Sequence, residues 1–125
     1  MEENEISFYI RKAIFKTYNT FGPGLLESVY EKVSKIELEK NGLKVQSQIP
    51  INVIYESQVL DIGFRADLLV EDKVIIEIKS VEEISPVHHK QLLTYLKLTN
   101  RKLGILVNFN TDYIDKSIFR KVNNL

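Results

Sequence analysis

Apolar residues along the chain change their spacing several times, and each change marks an element. Over residues 5–20, Ile6, Tyr9, Ile10, Ala13, Ile14 and Tyr18 recur at three and four, which predicts an amphipathic helix ended by Phe21-Gly22-Pro23-Gly24. A second helix is predicted over about 25–41, with Leu26, Val29, Tyr30, Val33 and Ile36 inward and Gly42 as its C-terminal cap. From Leu43 the period falls to two. Leu43, Val45 and Ile49 alternate with Lys44, Gln46 and Gln48, and residues 51–55 read as a second extended stretch after Pro50. Runs at 59–70 and 74–80 flank the turn Glu71-Asp72-Lys73. Ser85 reads as an N-cap with Pro86 at the first helical position of a helix to about residue 98. The continuous apolar run 103–109 suits a central strand buried on both faces, and the weak alternation of 116–122 suits an edge strand. The order ααβββαβ(β) is α+β or mixed α/β.

The chain has 125 residues, so one domain spanning 1–125 is expected, with roughly two thirds of its surface buried on folding. With 44% hydrophobic and 27% charged residues it is an ordinary globular composition, not a disordered or fibrous one. The absence of cysteine removes disulfides, thiolate metal sites and cysteine nucleophiles. No apolar run reaches membrane-spanning length and residues 1–12 open acidic rather than basic, so the expectation is a cytoplasmic protein without membrane contact. Lys plus Arg and Asp plus Glu number 17 each. Such a chain has no global positive field, and any grip on phosphate has to be local or assisted by a metal ion.

The chemistry concentrates in residues 64–80. A three-residue loop at Glu71, Asp72 and Lys73 pairs Val70 with Val74, Leu68 with Ile76, Ala66 with Ile78 and Phe64 with Ser80 on one apolar face. The same register sets Asp67 opposite Glu77 and Arg65 opposite Lys79. Two carboxylates so placed repel by about 4 kcal/mol at 4 Å and an effective dielectric near 20. A hard divalent cation offsets that best, because it takes oxygen ligands and is typically held by one or two carboxylates plus substrate phosphates. Lys79 points the same way as Glu77 and can orient an attacking water or neutralise charge developing on a phosphate. The competing reading is a solvated, salt-bridged sheet face with each charge worth little.

Asp67 followed by Glu77-Ile78-Lys79 resembles the core hairpin of the PD-(D/E)XK nuclease superfamily, and Gly24-Leu25-Leu26-Glu27-Ser28-Val29-Tyr30 resembles the pattern that names its GxxExxY branch. His88, Gln91, Tyr95 and Leu96, and then residues 103–109, are similar to later blocks of that branch. The superfamily's proline is replaced here by Ala66. The resemblance implies a restriction-endonuclease-like core with a mixed sheet of four to five strands flanked by helices. It implies that Asp67, Glu77 and the carbonyl of Ile78 bind Mg²⁺, with Mn²⁺ as a substitute, that Glu27 is the extra acidic residue near the metal, and that Lys79 assists the attacking water. Gln91 and Tyr95 would stand beside the centre, on the scissile strand or the carboxylates.

The leading expectation is therefore a Mg²⁺-dependent nuclease acting on phosphodiester bonds, with DNA as its substrate. The alternative is a non-cleaving nucleic-acid-binding or protein-docking module that retains the nuclease fold, and a third reading makes the charged face a protein interface. Phosphate contacts fall to Arg65, Lys79, Lys97, Arg101 or Lys102. A small nuclease of this type often works as a homodimer or beside a DNA-processing partner. For His88 and His89, solvent or backbone hydrogen bonding is expected rather than zinc, and for Tyr30 a place in the core.

Overall fold

The computed structural model describes residues 1–61 and 64–125. Helices α1 (Glu3–Phe21) and α2 (Glu27–Lys40) lead, followed by strands β1 (Val45–Tyr55), β2 (Gln58–Val70) and β3 (Val74–Lys79). Helix α3 (Pro86–Thr99), strand β4 (Leu103–Asn108), a 3₁₀ turn over Ile114–Lys116 and strand β5 (Ile118–Val122) complete the chain. The expected order is observed, including an edge strand at the end. Ile62 and Gly63, inside the predicted run 59–70, lie outside the described residues.

The five strands form one mixed sheet in the order β1-β2-β3-β4-β5. β3 and β4 are parallel, as the intervening α3 crossover requires, and the other neighbours are antiparallel. Helices α1 and α2 cover one face, where Ile6, Ile10, Tyr30 and Leu38 meet Leu68, Val70, Ile76, Ile78 and Val107. Helix α3 covers the other, where Leu92, Tyr95 and Leu96 meet Ile51, Ala66, Leu69, Ile75 and Leu106. The architecture is that of a restriction-endonuclease-like core, a mixed sheet with helices on both sides.

Helix α2 ends as its sequence dictates. Gly42, at φ +83°, sends its N–H to Glu39, and Leu43 sends its own to Leu38, a paired closure that satisfies two terminal carbonyls. Its buried stripe differs from the expected one. Tyr30, Ser34 and Leu38 are buried, whereas Leu26 and Ile36 are 75% and 52% exposed. Leu26 precedes the first helical turn, and Ile36 lies across the helix from that four-residue stripe. Ser34 enters the core because its hydroxyl lies 3.4 Å from that of Thr17, which bonds the Ala13 carbonyl at 2.8 Å; α1 and α2 meet over this polar contact.

The predicted stretches on either side of Pro50 are a single strand with a register shift between Ile51 and Val53. The expected single apolar face of β2 divides between layers. Leu68 and Val70 pack beneath α1 and α2, while Ala66 packs beneath α3 and the Phe64 ring lies 6.1 Å from Tyr95. β1 changes layer at the same level, with Val45 on the first side and Ile51 on the second. Gln48 and Asp67 mark that level.

Candidate active site

The site lies where the β2–β3 ladder opens. The predicted pairs Val70–Val74 and Leu68–Ile76 are present, but the ladder stops there, so Asp67 and Glu77 are not ladder partners. Side chains replace the missing rungs. Asp67 Oδ2 accepts the N–H of Ile78 at 2.7 Å, and Glu77 Oε1 accepts the N–H of Asp67 at 3.3 Å. Asp67 has taken over a donor that a continuing ladder would use, the Ile78 N–H, and the two carboxylates stand in the gap between the strands.

Burial raises the proton affinity of both. Glu77 is 5% exposed, and desolvation, followed by the Asp67 charge, lifts its pKa to about 8, against the easing effect of Lys79. Asp67 is also raised, first by desolvation, and is held back by the Ile78 N–H and Lys79. The phenol of Tyr95 on α3 is raised by burial and then by the charges of Glu77 and Asp67, so it stands within electrostatic reach of the pair. Among the described residues the ion pairs are Lys40–Glu37 and Arg101–Asp72. Neither carboxylate of the site has a cation in direct contact, and Lys79 acts on them from a distance.

Glu27, in the first turn of α2, turns its Oε2 to the N–H of Ser80 at 2.8 Å, while Ser80 Oγ bonds the Leu25 carbonyl at 2.7 Å. This ties the α2 entry to the end of β3. The entry is shaped by Gly24, whose φ of +100° suits glycine, and by Tyr30, whose hydroxyl donates to Gly22 O at 2.6 Å and accepts from Leu25 N at 3.1 Å. Tyr30 is fully buried, as expected for a core residue. Among the described residues, no three His, Asp or Glu side chains converge on one point. Glu27 therefore flanks the Asp67–Glu77 pair, and its charge is felt at Asp67.

Helix α3 brings Tyr95 to the site, while Gln91, one turn earlier on the same helix face, is exposed. His88 caps the helix: its Nδ1 accepts the Ser85 N–H at 3.1 Å, the backbone bonding expected of it. Lys79 O accepts from Phe109 N at 2.9 Å. By strand alternation the N–H and C=O of Ile78 face the opposite side, toward the opened gap. Arg65 is exposed near the site. Arg101 is instead bound to Asp72 at 2.8 Å, and with Lys97 and Lys102 it sits at the β2–β3 turn end. About 16 Å of strand separates that end from Lys79, so those three lie away from the carboxylate pair.

Three residues at the site went unread in the sequence. Gln48 donates from Nε2 to Glu31 Oε1 at 2.7 Å and to Asp67 Oδ1 at 3.4 Å, linking α2 to β2. Burial, and then the Asp67 charge against the Gln48 bond, leaves Glu31 raised as well. Asn108 clamps the segment leaving β3, giving its Nδ2 to Val81 O at 2.9 Å and taking Val81 N at 3.1 Å. Gln48 and Glu31 sit at polar positions of regular patterns, and nothing in their spacing separates them from solvent-facing neighbours. Asn108, a polar residue ending an apolar run, is a weak signal of a buried tie.

The sequence profile of the PD-(D/E)XK nuclease superfamily matches residues 4–121. The chain belongs to that superfamily. No curated protein and no solved structure matches it significantly. PD-(D/E)XK nucleases hydrolyse phosphodiester bonds and typically use divalent metals. The donor set here suits such an ion: two carboxylates with raised proton affinity, no cation in contact, and a strand carbonyl beside them. Among the described residues, no helix is long and apolar enough to cross a membrane.

Proposed function

We propose that the chain is a Mg²⁺-dependent nuclease of the GxxExxY branch that cleaves DNA, a single domain over 1–125 working in the cytoplasm. The observation that carries this reading is the pair of carboxylates, Asp67 and Glu77, wedged into the opened β2–β3 ladder with Lys79 two residues on. Membership of the superfamily supports the chemistry. The branch assignment is supported by the work its motif residues do, since Gly24 and Tyr30 shape the turn from which Glu27 reaches Ser80.

In this reading Asp67, Glu77 and the Ile78 carbonyl hold the ion, with Glu27 contributing charge from the flank. When bound, Mg²⁺ supplies Lewis-acid polarisation and charge neutralisation at the scissile phosphate. Lys79 orients the attacking water with its ammonium and offsets charge developing on the phosphate oxygens. Tyr95 offers a phenol hydroxyl beside the carboxylates, and Gln91 offers its exposed amide to the scissile strand. Arg65 and Lys79 are the phosphate contacts at this end of the sheet. With net charge zero, binding without metal is expected to be weak.

The test is nicking or nucleotide release from single-stranded, double-stranded and branched DNA and from RNA, with Mg²⁺ or Mn²⁺ and with chelator. Cleavage of DNA that needs the metal and disappears in Glu77→Ala and Lys79→Ala is the expected result. A pure wild type inert on every substrate, yet binding nucleic acid equally with and without Mg²⁺, would favour the non-cleaving alternative. A homodimer or a DNA-processing partner remains part of the proposal, checked by the mass in solution with and without DNA.

A further inference from the structure

Seven non-glycine residues adopt positive φ among the described residues, and six of them explain themselves. Glu56 and Ser57 form the β1–β2 turn, Glu71 and Asp72 the β2–β3 turn, Asn100 caps α3 and Asn124 lies in the tail. The seventh is Gln48, at φ +53° in the interior of β1. A left-handed conformation is unfavourable for a residue with a Cβ, and glutamine lacks the short side chain that eases it for asparagine. Gln48 is also exposed, so burial of apolar surface does not hold it there.

What holds it is the site. Ser47 pairs with Leu68 and Ile49 with Ala66, so Gln48 stands across from Asp67 without forming a rung with it. The two protons of its amide nitrogen are divided between Glu31 Oε1, at 2.7 Å, and Asp67 Oδ1, at 3.4 Å. Asp67 Oδ2 is already bound by the Ile78 N–H. Both oxygens of Asp67 are thus oriented by donors, one from the backbone of β3 and one from the side chain of β1. Strain at an interior strand position is retained where the surroundings over-determine it, and such positions cluster at functional sites.

We propose that Gln48 is a positioning residue of the nuclease centre: anchored by Glu31, its amide fixes the rotation of the Asp67 carboxylate and so sets metal affinity. The inference rests on the reading of Asp67 and Glu77 as metal ligands. Outer partners of metal-binding carboxylates change affinity by about 10- to 100-fold when removed. The left-handed turn of β1 is the means by which a long neutral donor is delivered between two acids that would otherwise repel.

The experiment is calorimetric titration of Mn²⁺ into the metal-free chain, paired with a thermal melt in chelator. Gln48→Gly is the decisive variant, because glycine accepts φ +53° without strain while removing the amide. It should weaken Mn²⁺ binding about 10-fold or more and melt at or above the wild-type temperature. Gln48→Met should weaken binding similarly. Glu31→Gln, whose amide oxygen still accepts the bond, should stay close to wild type, and Glu31→Leu should behave like Gln48→Gly. Mn²⁺ affinity unchanged in Gln48→Gly and Gln48→Met, or a loss of affinity in Gln48→Gly that follows a drop in its melting temperature, overturns the inference. If wild type binds Mn²⁺ and Glu77→Ala does not, either result leaves the metal-site reading standing. If wild type and Glu77→Ala bind alike, or neither binds, that reading falls and the inference falls with it.

Discussion

The rings of Tyr30 and Phe109 stack with centroids 4.3 Å apart and planes 4° from parallel, joining α2 to the residue that follows β4. Tyr30 holds the Gly22–Leu25 turn through its hydroxyl, and Phe109 N binds Lys79 O, so this contact links the carrier of Glu27 to the strand end that carries Lys79.

Tyr30→Phe keeps the stack and deletes both hydroxyl bonds, leaving the Gly22 carbonyl and the Leu25 N–H to find water. A loss of about 1–2 kcal/mol is expected, a fall of several degrees in Tm by scanning calorimetry. Tyr30→Ala removes the stacked ring as well and should cost about 3–5 kcal/mol. Equal melting of Tyr30→Phe and wild type would show that the turn is held by other contacts.

Stability in the absence of metal should fall as pH rises, because of Glu77. The unfolded chain releases this proton near its ordinary 4.5, whereas the folded chain keeps it to about 8. Between those values the fold binds the extra proton, so stability declines across that window; below pH 4.5 both states are protonated and the effect vanishes. Each tenfold difference in proton affinity is worth about 1.4 kcal/mol. Glu77→Gln has no such proton and should melt several degrees above wild type at pH 8 in chelator, with the gap closing toward pH 4.5. Added Mg²⁺ should raise the wild-type Tm and leave the variant unmoved. A gap that is constant with pH would assign the stabilisation to packing instead.

How much of this was legible follows from what each pattern depends on. The register through Leu68–Ile76 and Val70–Val74 could be read because period-two alternation and a three-residue turn leave one consistent pairing. That the ladder stops before Asp67 could not, since it depends on the Asp67 carboxylate outcompeting a strand carbonyl for the N–H of Ile78. The change of layer at Gln48 and Asp67 was hidden for a related reason: alternation assumes β-region dihedrals throughout, and Gln48 departs from them. Ser34 and Thr17 look like surface residues in a hydropathy pattern and are buried because they face each other.

Glu27 has two separable duties. Its carboxylate accepts the Ser80 N–H, and its charge reaches Asp67. Glu27→Gln keeps an acceptor oxygen and discards the charge, so it should melt like wild type yet need several-fold more Mg²⁺ for half-maximal cleavage. Glu27→Ala discards both and should in addition lose up to about 1 kcal/mol, the small value reflecting exposure at the helix start. A Mg²⁺ titration of DNA cleavage alongside melting curves separates the two. An unchanged Mg²⁺ requirement in Glu27→Gln would confine the residue to its bond with Ser80.

The height of α3 above the sheet, and with it the placement of Tyr95, depends on Gly104. A Cβ built there would come within 2.8–3.0 Å of Leu92 Cδ1, Cγ and Cδ2, and Leu92 is fully buried on the face that also carries Tyr95 and Leu96. Gly104→Ala forces the leucine off its rotamer or the helix off the strand, an overpacking cost of about 1–3 kcal/mol. Leu92→Ala alone leaves a cavity and should cost about 2–5 kcal/mol. The two changes are complementary in volume, so the double variant should be less destabilised than the sum of the singles, a coupling measurable by chemical denaturation of all four proteins. Strict additivity would mean that Leu92 yields freely, and that the separation of α3 from β4 is set elsewhere along the helix.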